Sequence, residues 1–362
     1  MRIKRYVLIF LSFLTIAISC NKEDATKIED SYLDISLVSI DFTADKDASL
    51  LKIETNNEWK ISSDATWLSF SAKNGNESTA VLVAATENKR FQRAATVTVQ
   101  AYNITKEIKV TQTGVSKIEF EINGIKFTLL PVLADTTFYL EGGVYFNSRN
   151  VYLDNYFISE TEITNAQWQA VTGNLPYDTE NSFPNLPVVA TWNQITQDFI
   201  TKLNELTDYK FRLPTEHEWE VAARGGRKFV QFYYFAGNNN ADDVAWYYNN
   251  SEGRKHDVGL KQPNELGLYD MSGNVSEWCS DWYREWTEDN PPGNNLTNPT
   301  GSSIGTNKVV RGGDLVADEF QYQQNSCYIY MRDHLPPNID TDDFLYGGYY
   351  HYPGFRLVIA KD

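Results

Sequence analysis

Short apolar runs alternating with polar positions dominate residues 32–115. Leu50-Leu51-Lys52-Ile53, Ala80-Val81-Leu82-Val83-Ala84, Ala95-Thr96-Val97-Thr98-Val99 and Ile108-Lys109-Val110-Thr111-Gln112 are rich in β-branched residues and of strand length. Turn-forming clusters separate them, notably Thr55-Asn56-Asn57 and Lys73-Asn74-Gly75-Asn76. Strands at this spacing, without helical periodicity, predict an all-β sandwich.

Beyond residue 116 the pattern changes. Ile118 to Phe127 alternates and predicts one strand, and Phe138-Tyr139-Leu140-Glu141-Gly142-Gly143 a strand ending in a glycine turn. Thr164, with Gln167 three residues later, forms a capping box that opens a helix; Trp168 and Val171 share its inner face and Gly173 stops it. Ile195, Phe199, Leu203 and Leu206 recur at helical spacing and predict one buried face. A third helix follows Arg212-Leu213-Pro214. Thr215 caps it, Glu218 answers at N3, Trp219, Ala222 and Ala223 face inward, and His217 is expected on the surface.

Length and charge narrow the picture. The 362 residues suit more than one domain. Acidic residues outnumber basic ones by 48 to 32, a net charge of −16 that argues against nucleic acid as a partner. At the N-terminus, Arg2, Lys4 and Arg5 precede an apolar run from Tyr6 to Ile18, too short for a comfortable membrane span. It ends in Ala17-Ile18-Ser19-Cys20, which resembles a bacterial lipobox. That resemblance implies a signal peptide over 1–19, lipidation of Cys20, and a membrane as partner. Asn21-Lys22-Glu23-Asp24 resembles the acidic tag of Bacteroidetes lipoproteins displayed on the outer membrane surface. Residues 20–31 then read as a tether. Cys279 and Cys327 remain, either paired with each other or buried and inert.

The stretch 263–283, PNELGLYDMSGNVSEWCSDWY, carries the candidate chemistry. Asp270, Asn274 and Glu277 offer side-chain oxygens within one loop, and Gly273 permits a tight turn. The residues alone leave two readings open, a hydrogen-bonded Asx-turn or a site for a hard cation. Trp278 and Trp282 are expected to anchor the loop in a core.

Two resemblances extend this reading. The segments TNNEW and ATWLSF (residues 55–70), Asn88 to Arg93, and VTQTG (residues 110–114) resemble a BACON domain over residues 32–115. This implies an immunoglobulin-like sandwich that serves as a spacer or stacks sugars on Trp59 and Trp67. Further on, SETEITNAQW (159–168), FRLPTEHEWEVAARGG (211–226), PNELGLYDMSGNVSEW (263–278), VVRGG (309–313) and GFRLV (354–358) occur in order and resemble the formylglycine-generating enzyme, or sulfatase-modifying factor, family. The resemblance implies an α+β domain over 116–362, a variant of the C-type lectin fold. It also implies structural calcium held by the Asp270 side chain, the Gly273 and Val275 carbonyls and the Glu277 carboxylate. The enzymes of this family hold Cu(I) on two cysteines five residues apart, shortly after the Arg-Gly-Gly, because the soft ion selects thiolates. Here Ala317 stands where the first cysteine belongs, and five residues before Cys327 is Tyr322. The pair is missing, which argues against copper and against the oxidase reaction.

Aromatic residues crowd the C-terminal part: Tyr322, Tyr328 and Tyr330 precede Arg332, and Tyr346, Tyr349, Tyr350 and Tyr352 surround Gly347-Gly348. Rigid rings with polar tips suit a ligand surface, and these eight residues are the candidate ligand-binding set. Arg311, Arg332 and Arg356 are expected to pair with buried carboxylates. The sequence therefore reads as a surface lipoprotein whose non-catalytic domain binds a glycan or a protein. Two other readings stand beside it: an oxidoreductase converting a substrate cysteine to formylglycine, and a structural part of an envelope or gliding machine.

Overall fold

The computed structural model describes residues 30–141, 148–176, 183–286, 293–315, 325–339, 345–346 and 349–360. The first nine strands are β1 (Leu33–Ile35), β2 (Ser39–Phe42), β3 (Asp47–Thr55), β4 (Trp59–Ser63), β5 (Leu68–Phe70), β6 (Asn74–Gly75), β7 (Thr79–Ala85), β8 (Arg93–Ala101) and β9 (Ile104–Gln112). They form two sheets, ordered β1-β3-β7-β5 and β2-β9-β8-β4-β6. Every second residue points inward, as the pleat requires. Leu51, Ile53, Val81, Val83, Val97, Val99, Ile108 and Val110 thereby share one apolar core between the sheets. Trp59 belongs to that core, 1% exposed, with its indole Nε1 donating to Glu77 O at 2.9 Å. Its ring has no face left for a sugar. The Trp67 ring is covered by the Arg93 guanidinium, 4.5 Å from its centroid.

The loop before β8 joins this module to the rest. Phe91 leaves the sandwich and stacks on Phe157, ring centroids 4.3 Å apart, inside the C-terminal core. Asn88 fixes the loop by donating to Phe91 O and Thr113 O, and Arg90 donates to Ala360 O.

The C-terminal region is built around two larger sheets. One runs Ile118–Ile122, Ile125–Val132, Tyr156–Ser159, Val358–Ala360, Phe211–Arg212; the other runs Asp333–Leu335, Lys308–Arg311, Ser276–Trp282, Pro353–Gly354. The last strand of the chain thus closes the first sheet beside Tyr156–Ser159, a strand buried on both faces. The Asn165–Thr172 helix has the expected capping box and ends on Gly173 at φ 94°. Trp168, Phe199 and Phe355 form its aromatic core, with centroids 5.1 to 6.1 Å apart.

Three expectations change. Residues 118–127 form a hairpin rather than one strand, because Asn123 (φ 50°) and Gly124 (φ 77°) adopt the two left-handed conformations of a tight β-turn. The second helical segment is π-wound over Ile195–Ile200. The wider turn shifts the phase, so Ile200 joins the buried face and Leu206 is 55% exposed. His217 is buried, 4% exposed, because the whole Glu216–Ala223 helix is enclosed. No helix among the described residues is long and apolar enough to cross a membrane.

Candidate functional site

The enclosed Glu216–Ala223 helix presents charges to the interior; Glu218 pairs with nearby Arg212, and Glu216 and Glu220 find partners from distant chain. Glu220 receives Arg149 and Arg311 on one oxygen, at 2.5 and 3.0 Å, and Arg224 on the other at 2.8 Å. Glu216 receives both Arg332 and Arg311. Burial raises the Glu216 carboxyl, but Arg332 and Arg311 outweigh it and hold it at about 2. Burial opposes ionisation of Glu220 too, and Arg149, Arg224 and Arg311 hold it well below the usual carboxylate range. His217 accepts from Arg149 Nε at 3.1 Å, which assigns its proton to Nδ1. Burial and Arg149 push its pKa down to about 4. Arg332 also donates to Arg284 O at 3.0 Å and stacks on Trp286 at 3.4 Å. It pairs with a buried carboxylate as expected of the three arginines.

The loop at 263–283 sits against this hub. Asp270 (φ 54°), Gly273 (φ 77°) and Asn274 (φ 61°) are all left-handed. Gly273 is required by packing as well, since a Cβ there would meet Trp246 O at 2.2 Å. Glu162 pins the loop: its two oxygens accept from Val275 N at 3.0 Å and Asn274 Nδ2 at 2.8 Å. Trp278 is fully buried, whereas Trp282 is half-buried beneath Lys308 Nζ, 3.8 Å from its ring.

Of the expected calcium ligands, Asp270 is 2% exposed; its Oδ2 accepts from Gly259 N at 2.7 Å, while Oδ1 is buried with no hydrogen-bond partner. An orphaned carboxylate oxygen of this kind fits a cation. Glu277 is engaged on both oxygens by Arg356 Nε at 2.8 and 2.9 Å, and on one by Trp219 Nε1 at 2.8 Å. A calcium ion there would share Glu277 with Arg356. Among the described residues no group of three or more His, Cys, Asp and Glu side chains is placed to hold a metal. The expected site has only two such side chains and relies on carbonyls for the rest.

The two thiols are unpaired and buried in different apolar clusters, Cys279 among Trp219, Leu268 and Val309, Cys327 among Phe235, Val244 and Tyr247. Burial raises the Cys279 pKa well above normal and pushes that of Cys327 up to about 12, so both stay protonated. Ala317, Tyr322 and Cys20 lie outside the described residues.

Of the expected ligand set, the side chains of Tyr328, Tyr330, Arg332 and Tyr352 are described. Tyr328 and Tyr330 pack on each other at 5.3 Å, and Tyr328 also on Tyr234 and Phe235. Leu345–Tyr346 and Tyr349–Tyr350 pair as antiparallel strands, and the side chains of Tyr346, Tyr349 and Tyr350 lie outside the described residues. Arg332 borders one cleft, of about 330 Å³, while Tyr352 lines another of about 420 Å³. The second opens beside the segment that follows Arg311-Gly312-Gly313. Leu315, Tyr352, Phe183, Leu186 and Leu260 give it apolar walls, and Arg254, Lys255, His256 and Asp257 a polar one that carries both signs of charge.

Glu162, Glu216, Glu220, Arg149 and Lys255 escaped the sequence reading. The available signal was the lone arginine inside an apolar run, as in Val309-Val310-Arg311, which demands a buried carboxylate somewhere.

Comparisons with known proteins agree with this architecture. Residues 79–344 match the Sulfatase-modifying factor enzyme 1-like domain and residues 32–115 the Viral BACON domain. The matches overlap over strands β7 to β9, which the structure holds in the sandwich. The Chaperone protein LppX of Paenibacillus barcinonensis is 32% identical over 206 residues, 42% of this chain and 73% of that one. A Formylglycine-generating enzyme of Thermomonospora curvata is 34% identical over 172 residues, 43% of this chain; the alignment spans 53% of the enzyme, about half its length. Among solved structures, Treponema denticola variable protein 1 superposes with a TM-score of 0.58 at 26% identity, covering 68% of this chain and all of that one.

Proposed function

The chain belongs to the sulfatase-modifying factor enzyme 1-like family, and from that premise we propose that it is a non-catalytic member, a lipoprotein anchored through Cys20 on the outer membrane surface, whose cleft beside Leu315 and Tyr352 binds a protein or glycan. One observation carries this reading. The two thiols that remain after Cys20 are buried apart, protonated, and in separate clusters. Two-coordinate Cu(I) needs a thiolate pair, and the cleft beside the Arg-Gly-Gly run is lined with apolar side chains and with Arg254, Lys255, His256 and Asp257. The sandwich belongs with immunoglobulin-like folds and the larger region with C-type lectin-like folds. Asp270, Glu277 and the carbonyls of Gly273 and Val275 would hold calcium, which would satisfy Asp270 Oδ1 and offset the carboxylates Glu162, Asp270 and Glu277 that face Arg356.

Incubation of the mature protein with Cu(I) and a cysteine peptide of the sulfatase type tests the central claim. No aldehyde product is expected; formylglycine formation would establish the oxidoreductase instead.

A further inference from the structure

We propose that the cleft beside Leu315 and Tyr352 takes an extended acidic peptide, with Lys255 binding a carboxylate and Phe183 and Leu260 flanking the apolar residue next to it. The proposal rests on the reading of this cleft as a binding groove, and adds the chemistry of its ligand. Lys255 is the anomalous residue. It is half-buried, and Nζ makes one hydrogen bond, to Pro187 O at 2.9 Å. An ammonium has three donors, so among the described residues the group lacks two acceptors and a close counter-charge. Burial lowers its pKa to about 8, opposed only by Glu162. Arg254 pairs with Glu252 at 2.8 Å, His256 Nε2 contacts Ser251 O at 2.9 Å, and Asp257 is the one carboxylate lining the cleft among the described residues. A ligand carboxylate would supply what Lys255 is missing.

The walls select a peptide over a sugar. Phe183 and Leu260 are 64% and 62% exposed, an unusual outlay of large apolar surface at one cleft. Leu186 and Leu315 also line the cleft but are themselves buried. Saccharides favour flat, open aromatic faces; the nearby Trp246 ring is covered, with His256 stacked on it at 3.8 Å and Lys261 Nζ 3.9 Å from its centroid, which leaves Phe183 as the most exposed ring at this cleft. The net charge of −16 repels an acidic ligand at a distance, but at physiological salt that field is screened beyond about 8 Å, so contact chemistry decides.

A random hexapeptide library is screened against the full chain, and the selected peptides are remade with each Asp or Glu as its amide. Selected sequences are expected to place an acid beside a leucine or an aromatic residue. The amide exchange should weaken binding about tenfold or more. Lys255→Met should do the same, and in that variant acid and amide peptides should bind alike. Phe183→Ser, at a solvent-exposed position, should remove the preference for the apolar neighbour. Peptides that bind the cleft without regard to the acid or to Lys255 would overturn the ligand class and leave the groove standing. Selection of no peptide, or displacement of peptides from the cleft by oligogalacturonate with higher affinity, would overturn the peptide proposal; if neither ligand class binds, the groove reading falls as well.

Discussion

The sandwich and the C-terminal region solve the problem of an interior in opposite ways. The sandwich core is apolar throughout, from Leu51 and Ile53 to Val97 and Val110. The other interior is threaded with charge: Arg311 and Arg356 are among its largest fully buried side chains, facing Glu216, Glu220 and Glu277. An apolar core is forgiving, because its contacts are many and individually small. A buried ion network is not. Its members were desolvated at a cost, and removing one strands the rest. The difference suits the proposed roles, a plain supporting module and a domain whose loops and clefts must be held in one geometry without long regular elements.

The sharpest break in that comparison is Glu220→Ala. It leaves Arg149, Arg224 and Arg311 without the carboxylate that they share. Loss of about 3–5 kcal/mol is expected for the C-terminal region, read by urea denaturation followed through tryptophan fluorescence. If Glu220→Ala unfolds no more easily than wild type, the hub does not hold the domain.

Acid should separate the two interiors next. His217 has its folded pKa lowered from 6.5 to about 4, so the folded state binds the proton less well than the unfolded chain. Its contribution is therefore fully present above pH 6.5 and lost as pH falls to 4, on the order of 3 kcal/mol. Glu216, lowered from 4.5 to about 2, is also favourable at neutral pH and adds its loss between those values. Asp281 works the other way: burial raises it to about 7, so its contribution declines as pH climbs from 3.8 to 7. The His217→Gln variant should flatten the decline between pH 6.5 and 4. An unchanged profile in that variant would place the titration elsewhere.

These same contrasts decide what was legible in the sequence. The strands β3, β7, β8 and β9 could be read from alternation alone, since one face is apolar and the pleat does the rest. The capping boxes at Thr164 and Thr215 were local and equally plain. The Glu216–Ala223 helix defeats the same logic. Polar residues surround it, so periodicity assigns an exposed side, and the partners that bury Glu216 and Glu220 lie 71 to 116 residues away. Lys255 shows the same limit, because only the fold sets its ammonium against Pro187.

A milder pair of substitutions sharpens the comparison. Ile53→Val in the sandwich should cost about 0.5–1.5 kcal/mol. Arg311→Lys keeps the charge but loses the planar fork that reaches Glu216, Glu220 and Ile329 O together. It should cost more than Ile53→Val under the same denaturation assay. Equal losses would mean that charge alone, not geometry, matters in the hub.

The smallest effect concerns the place where the two interiors meet. Phe91 is the one sandwich-loop ring that enters the other core, stacked on Phe157 at 30° between planes. Phe91→Leu keeps most of the apolar volume and removes the ring pair, as does Phe157→Leu from the other side. An aromatic pair contributes about 0.5–1.5 kcal/mol beyond its buried area. The double variant should therefore lose less than the sum of the single losses by about that amount, the signature of direct coupling. The transitions of the two regions should nearly coincide while the ring bridges them and draw apart in Phe91→Leu. Strict additivity would make the sandwich a loosely hung spacer, with Arg90 and Phe91 only resting on the domain they touch.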